Sequence, residues 1–470
     1  FLARALRRPG LGRPGERLAA ALRTLGPSFI KLGQALSTRA DLMGEAVAAD
    51  LADLRDRLPP FPAEAARRTI AADLERPVEA LFASFDDVPI AAASIAQVHF
   101  AVTTDGRPVA VKVLRPRIEA EFARDLDLFR WMADVVERAV PASRRLKPRE
   151  VVRTFAETVR LEMDLRFEAA AAAELAENFV GDPTFRVPAV DWQRTGRRVL
   201  TTERVVGIPI NQRAALIAAG HDPQQIMAYA ASSLFRQVFR DGFFHGDMHP
   251  GNCFVAPDGA VVPVDFGIMG RLDLATREFL ADMLVGFLNG DYRQVADVHF
   301  RAGYVPASQS RDAFMQACRS IGAPILGRPL AEISLARLLG QLFRVTEQFR
   351  METQPQLLLL QKTMLVAEGV GRSLDPDVNM WLLARPLIED WMIEHRGPEA
   401  RLRRAVDTGI DLAGRVPRLF DAIETVAAAE RRRALGPQDI SRARSAERLG
   451  AVAIAIAIAA LVAALSALAS

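Results

Sequence analysis

Two stretches decide how this 470-residue chain is read: His245-Gly246-Asp247-Met248-His249-Pro250-Gly251-Asn252 and, shortly after, Val264-Asp265-Phe266-Gly267. Asn252 follows Asp247 by five residues and Asp265 follows it by eighteen. Asp265 and Asn252 offer hard oxygen ligands of the kind magnesium takes. Asp247 can orient or deprotonate a nucleophile. Phosphoryl transfer needs metal-held phosphates and a positioned acceptor, and this spacing supplies both. Each piece is common by chance; the combination is not. His245 and His249 stand four apart, a spacing zinc sites use on helices. Pro250-Gly251 breaks any helix there, so His245 is expected to brace the loop rather than hold metal.

Working upstream, Val109-Ala110-Val111-Lys112 reads as a strand carrying a lysine that pairs with nucleotide phosphates. It follows a strand over 95–102 and the turn Thr104-Asp105-Gly106-Arg107, where Asp-Gly is a strong hairpin signal. This order, strand lysine then D-x-x-x-x-N then D-F-G, is that of kinase-like phosphotransferases. A glycine-rich loop is expected ahead of the lysine. The chain has Pro89-Ile90-Ala91-Ala92-Ala93-Ser94 instead, where each alanine Cβ limits close backbone approach to phosphates. A carboxylate partner for Lys112 must come from a helix. Glu162, Asp164 and Glu168 are the candidates, and their spacing leaves the choice open. Gly207 and Pro209 fit a hinge between lobes, with backbone groups from Glu203 to Val205 placed to meet an adenine ring.

Half the residues are hydrophobic and a quarter charged, which excludes a disordered chain or a disulfide scaffold. Cys253 and Cys318 have no metal-site spacing and fit a reducing compartment. The net charge of +3 is concentrated in an arginine-rich stretch over 396–448. The remainder lacks the basic face of a nucleic-acid-binding protein. Of 60 basic residues only four are lysine, at 31, 112, 147 and 362, and the two types are not interchangeable. Residues 449–470 carry no charge. At about 1.5 Å per residue they suffice for roughly 30 Å of hydrocarbon; a buried helix in a C-terminal hairpin is the alternative. Arg442, Arg444 and Arg448 would keep the preceding domain cytoplasmic. Apolar spacing predicts helices from Pro27, over 63–74, 119–139 and 149–179, and over most of 207–395 outside 245–267.

Together these motifs resemble the UbiB family of atypical kinase-like proteins, which supports ubiquinone biosynthesis. Its K-x-G-Q motif is matched by Lys31-Leu32-Gly33-Gln34, its alanine-rich nucleotide loop by Ala91-Ala92-Ala93-Ser94, and its E-x-D motif by Glu162-Met163-Asp164. Glu168 matches the glutamate that pairs with the strand lysine. Asp247, Asn252 and Asp265 match the catalytic loop and metal motif. The likeness runs from about Gly26 to Pro376. It implies Asp247, Lys112 and Glu168 as the catalytic set and Asn252 and Asp265 as magnesium ligands. It places ATP against Ala91, Ala92, Ala93, Ser94 and Lys112, while the hinge position adds Glu203 and Val205 to the expected nucleotide contacts. It puts Lys31 and Gln34 near Glu162 and Asp164 inside the cleft, where a protein substrate would otherwise sit. It also implies ATP hydrolysis stimulated by membrane lipids and quinone precursors, little protein phosphorylation, and association with other ubiquinone-biosynthesis enzymes at the bacterial cytoplasmic membrane.

The fold expected is a two-lobed, kinase-like α+β domain. Residues 1–80 form a helical extension over the cleft, and 81–206 an N-lobe with a helical insertion. Residues 207–395 form a helical C-lobe, 396–448 a basic juxtamembrane region and 449–470 a membrane helix. Two other readings remain. Small-molecule phosphotransferases share H-G-D-x-x-x-x-N but do not call for K-x-G-Q or the alanine loop. A nucleotide-binding scaffold would keep the same residues without turnover.

Overall fold

A computed structural model of the chain describes residues 12–37, 43–52, 54, 58–139, 147–324, 341, 345–346, 348–351, 354–375 and 386–393. The chain divides into two units, Phe1–Trp391 and Met392–Ser470, and the strands and helices with assigned bounds belong to the first. The arginine-rich stretch 396–448 and the expected membrane helix 449–470 lie outside the described residues, as does Pro376. Among the described residues no helix is long and apolar enough to cross a membrane.

The N-lobe is an antiparallel sheet in the order β1 (Phe82–Phe85), β3 (Ala96–Thr103), β4 (Pro108–Leu114) and β5 (Val199–Glu203), with β2 (Ala91–Ala92) beside β3. The expected hairpin joins β3 to β4. Val109, Val111 and Val113 of β4 enter a core with Ala66, Ile70 and Leu81. Side chains alternate along a strand, so Lys112 projects from the other face. That face is the one that meets the C-lobe.

Three helices of the N-terminal extension, α1 (Pro14–Leu25), α2 (Pro27–Ser37) and α3 (Glu45–Ala52), close on Ala19, Leu22, Leu51 and Leu54. A Cβ at Gly33 would stand 2.7 Å from Leu22 Cδ1 and press on Leu54 as well. Glycine at this point lets α2 lie close to its neighbours. A fourth helix, α4 (Ala63–Asp73), packs under the sheet. Between β4 and β5 come α5 (Ile118–Ala139), α6 (Pro148–Glu162) and α7 (Leu165–Asn178). Phe29 of α2 meets Phe129 of α5 edge-on at 4.9 Å, and Leu32 and Ala35 pack on the same core.

The periodicity predicts one helix over 149–179, but the chain breaks at Met163-Asp164. Asp164 caps α7, its Oδ1 accepting from the Arg166 N–H at 3.2 Å. The Leu165 N–H donates to the Arg197 carbonyl at 2.9 Å. An aspartate N-cap takes up an otherwise orphaned helix-end donor, and surrounding charges hide it from a periodicity argument.

The C-lobe is helical: α8 (Pro223–Phe235), α9 (Leu274–Leu288), α10 (Tyr292–Arg301), α11 (Arg311–Gly322) and α12 (Pro355–Leu374). The interruption at 245–267 is built from very short strands: β7 (Phe243–His245), β8 (Cys253–Val255), β9 (Val261–Pro263) and β10 (Met269–Arg271). β10 pairs with β7, and β8 lies between β9 and β6 (Ile208–Pro209). Three residues are too few for an alternation pattern to register. Gly33→Val is expected to cost about 1–3 kcal/mol by overpacking α1–α3, read as a lower urea midpoint. An unchanged midpoint would mean that these helices separate freely.

Candidate active site

Lys112 stands where three elements meet. Its Nζ donates to Glu168 Oε1 at 2.7 Å and Oε2 at 2.9 Å, and lies 3.4 Å from Asp265 Oδ2. Glu168 is in the first turn of α7, and Asp265 follows β9. Of the three carboxylates open to Lys112 from sequence, the fold selects Glu168. Burial works against the lysine's charge, but the Asp265 and Glu168 carboxylates outweigh it and hold the ammonium above its usual value. Burial pushes the Glu168 carboxyl up, against the pull of Lys112. Burial also opposes ionisation of Asp265, yet Lys112 and the Gly267 N–H bring it down to about 2. Asp265 is therefore ionised at neutral pH.

The loop carrying Asp247 leaves β7 and is pinned to Asp265 by one imidazole. His245 is wholly buried. Its Nδ1 accepts from the Asp247 N–H at 3.1 Å, and its Nε2 donates to the Asp265 carbonyl. Both bonds are made by the neutral ring, and burial lowers the pKa of His245. The bracing role expected from sequence is the one observed. The Val264 N–H donates to the Asn252 carbonyl at 3.0 Å, joining the loop's far end to the strand before Asp265. The Asn252 carboxamide makes no hydrogen bond among the described residues. Asp247 Oδ1 accepts from Lys362 Nζ at 2.8 Å. Lys362 lies on α12, and no role was read for it from sequence. Its one signal was rarity, since three of the four lysines pair with carboxylates at this site.

The K-x-G-Q and E-x-D motifs meet only in part. Lys31 Nζ pairs with Glu162 Oε2 at 2.9 Å, both largely buried. The Lys31 charge is also felt by Lys112 and Asp265. Gln34 instead donates to the Leu54 carbonyl at 3.2 Å, fastening the extension to itself. Asp164 caps α7 and pairs with Arg166. In the alanine loop, Ala91 and Ala92 form β2, and the Ala93 N–H donates to the Ala96 carbonyl at 2.8 Å. Ser94 is fully buried, and its Oγ has no hydrogen-bond partner among the described residues. At the hinge the Glu203 N–H is taken by the Ala189 carbonyl at 2.8 Å. The backbone groups of Val205 have no partner among the described residues.

Among the described residues no group of three or more His, Cys, Asp or Glu side chains forms a metal cage. Magnesium does not require one, since it is commonly held by one or two protein ligands with phosphate and water oxygens. An ionised Asp265 and an unengaged Asn252 carboxamide fit that demand.

Residues 53–299 match the model of the ABC1 atypical kinase-like domain, and residues 318–379 that of the UbiB helical domain. The chain belongs to the UbiB family of atypical kinase-like proteins. A probable protein kinase UbiB of Marinobacter nauticus is 45% identical over 399 residues, 84% of this chain and 73% of that one. One from Aeromonas hydrophila is 45% identical over the same shares. Among solved structures, an Rv3197–erythromycin complex from Mycobacterium tuberculosis is similar at a TM-score of 0.55 and 27% identity, covering 78% of this chain and 94% of that one. In this UbiB-family chain, Lys362 falls within the helical domain, Lys112, Glu162, Glu168, Asp247, Asn252 and Asp265 within the kinase-like domain, and Lys31 and Gln34 ahead of it.

Removing Lys112 would strand a buried carboxylate. Lys112→Met is expected to cost about 3–5 kcal/mol in urea unfolding, with part regained in Lys112→Met/Glu168→Leu; equal stability of all three proteins would refute the buried pair. His245 is held neutral below the usual histidine value of about 6.5. The unfolded chain therefore binds its proton first, and stability present above that pH declines as pH falls. His99 and His299 shift the same way. His245→Gln should thus flatten, not abolish, the fall in Tm between about pH 7.5 and 5.5.

Proposed function

We propose that this chain is a magnesium-dependent, kinase-like ATPase or phosphotransferase that works at a membrane in support of ubiquinone biosynthesis. The observation that carries the reading is the assembled cation between two carboxylates, Lys112 with Glu168 and Asp265, beside a catalytic loop braced through His245. Lys112, steadied by Glu168, binds the ATP phosphates. Asn252 and Asp265 hold magnesium, which when bound neutralises phosphate charge and orients the terminal phosphoryl. Asp247 positions water or an acceptor hydroxyl and takes up its proton. Backbone around Ala91–Ala93 covers the phosphates, and Val205 offers free groups to adenine. The ion pair of Lys31 with Glu162 supports an extension that covers the protein-acceptor side of the cleft and so favours hydrolysis over protein phosphorylation.

The sequence beyond residue 395 supports the location. An arginine-rich stretch followed by an uncharged apolar one suits the anionic cytoplasmic face of a bacterial membrane. Lipids and quinone precursors are then the stimulating partners, together with other enzymes of the pathway.

Phosphate release from ATP should be measured with the full chain and magnesium, with and without anionic liposomes and a phenolic quinone-precursor analogue. We expect turnover that rises with lipid and falls by about 10²–10³-fold in Asp265→Asn, as for loss of a group stabilising transition-state charge. ATP binding with no turnover under any condition would replace the enzyme by a scaffold. Labelled phosphate appearing on the phenol would identify a small-molecule phosphotransferase. Turnover indifferent to lipid would remove the membrane part of the proposal.

A further inference from the structure

We infer that Lys362 is a positioning residue for phosphoryl transfer, brought to the catalytic loop by α12 of the helical domain. The inference rests on the reading of Asp247 as the group that positions the acceptor. Lys362 Nζ donates to Asp247 Oδ1 at 2.8 Å, while Asp247 Oδ2 has no hydrogen bond among the described residues. One carboxylate oxygen is therefore fixed and the other left for an acceptor hydroxyl or water. The backbone is held as well: the Asp247 N–H goes to His245, and the His249 N–H donates to the Asp247 carbonyl at 2.7 Å.

The lysine itself stands on a rigid base. Thr363 is wholly buried and Leu360 nearly so. Val370 and Leu374 enter a core with Ile226 and Met227 of α8. Arg213 Nε donates to the Leu374 carbonyl at 2.9 Å and Gln224 Nε2 to Asp375 at 3.1 Å, which ties down the far end of α12. One turn before Lys362, Leu359 lies over Gly246, and a Cβ there would come within 2.9 Å of both Leu359 methyls. Leu359 on Gly246 and Lys362 on Asp247 thus form a two-point seat for the helical domain on consecutive loop residues.

Stability does not account for this pair. The two side chains are 37% and 32% exposed, and ion pairs this open add little. Lysine in an arginine-dominated chain also suits a point contact to one oxygen, where a guanidinium fork would engage both. In the step served, the acceptor oxygen bonds to the γ-phosphorus, the bond from that phosphorus to the bridging oxygen of ADP breaks, and the acceptor proton passes to Asp247 Oδ2. A carboxylate free to rotate would meet the acceptor less often in line.

The test is a double-mutant cycle on the full chain with magnesium and ATP, comparing wild type, Lys362→Met, Asp247→Asn and the double variant. Tm and binding of a fluorescent ATP analogue are measured in parallel. We expect Lys362→Met to lower kcat by about 10–10²-fold, the scale of a misplaced reacting group, with KM for ATP and Tm little changed. The double variant should be no slower than Asp247→Asn, because Lys362 acts through Asp247. Lys362→Arg should recover little of kcat, since its fork would also engage the oxygen left for the acceptor. An unchanged kcat in Lys362→Met, additive losses in the double variant, or a loss that tracks a fall in Tm would overturn the inference while wild-type turnover left the proposed function standing. ATP binding without wild-type turnover would overturn both.

Discussion

The Lys112 ammonium lies between a carboxylate from α7 and a carboxylate from the segment after β9. A carboxylate as buried as Glu168 is tolerable only with a cation against it. That requirement fixes the distance between the N-lobe sheet, the helix α7 and the loop that carries Asp265. The break at Met163-Asp164 follows from the same demand. A single straight helix through 149–179 could not place Glu162 against Lys31 and Glu168 against Lys112; two helices with a capped joint do both.

Around that cation the site is organised by backbone as much as by side chains. His245 spends both ring nitrogens on main-chain groups of Asp247 and Asp265, so the segments carrying these two carboxylates are positioned as one piece. The N-terminal extension is attached separately. Gln97, buried in β3, bonds to both main-chain groups of Phe61, accepting at 3.0 Å and donating at 3.2 Å. His99 continues that chain by donating to the Asp86 carbonyl. The K-x-G-Q motif divides its labour: Lys31 reaches the E-x-D glutamate, Gly33 allows close helix packing and Gln34 fastens the extension.

Much of this was legible in the sequence because the chemistry demands particular residue types at short, fixed separations. The strand lysine, the D-x-x-x-x-N loop and D-F-G could be read without coordinates, and so could the β3–β4 hairpin with its Asp-Gly turn. Three-residue strands such as β7 and β10 could not, since they carry no period and exist only by pairing with each other. The alanine loop was legible as a motif, but the burial of Ser94 depends on what packs over it. Gln34 and Asp164 were assigned to the cleft by resemblance, and local backbone partners claim both.

The sequence by itself determined the family, the lysine strand and the two motifs that carry Asp247, Asn252 and Asp265, because the spacing inside each motif is covalent. Spacing alone left Glu162, Asp164 and Glu168 open as partners of Lys112; the resemblance pointed to Glu168 and the fold bears that out, whereas only the tertiary structure brought Lys362 to Asp247 from 115 residues away. Such pairings join distant parts of the chain. Their distance is set by how helices pack and where they break, and no local pattern records it.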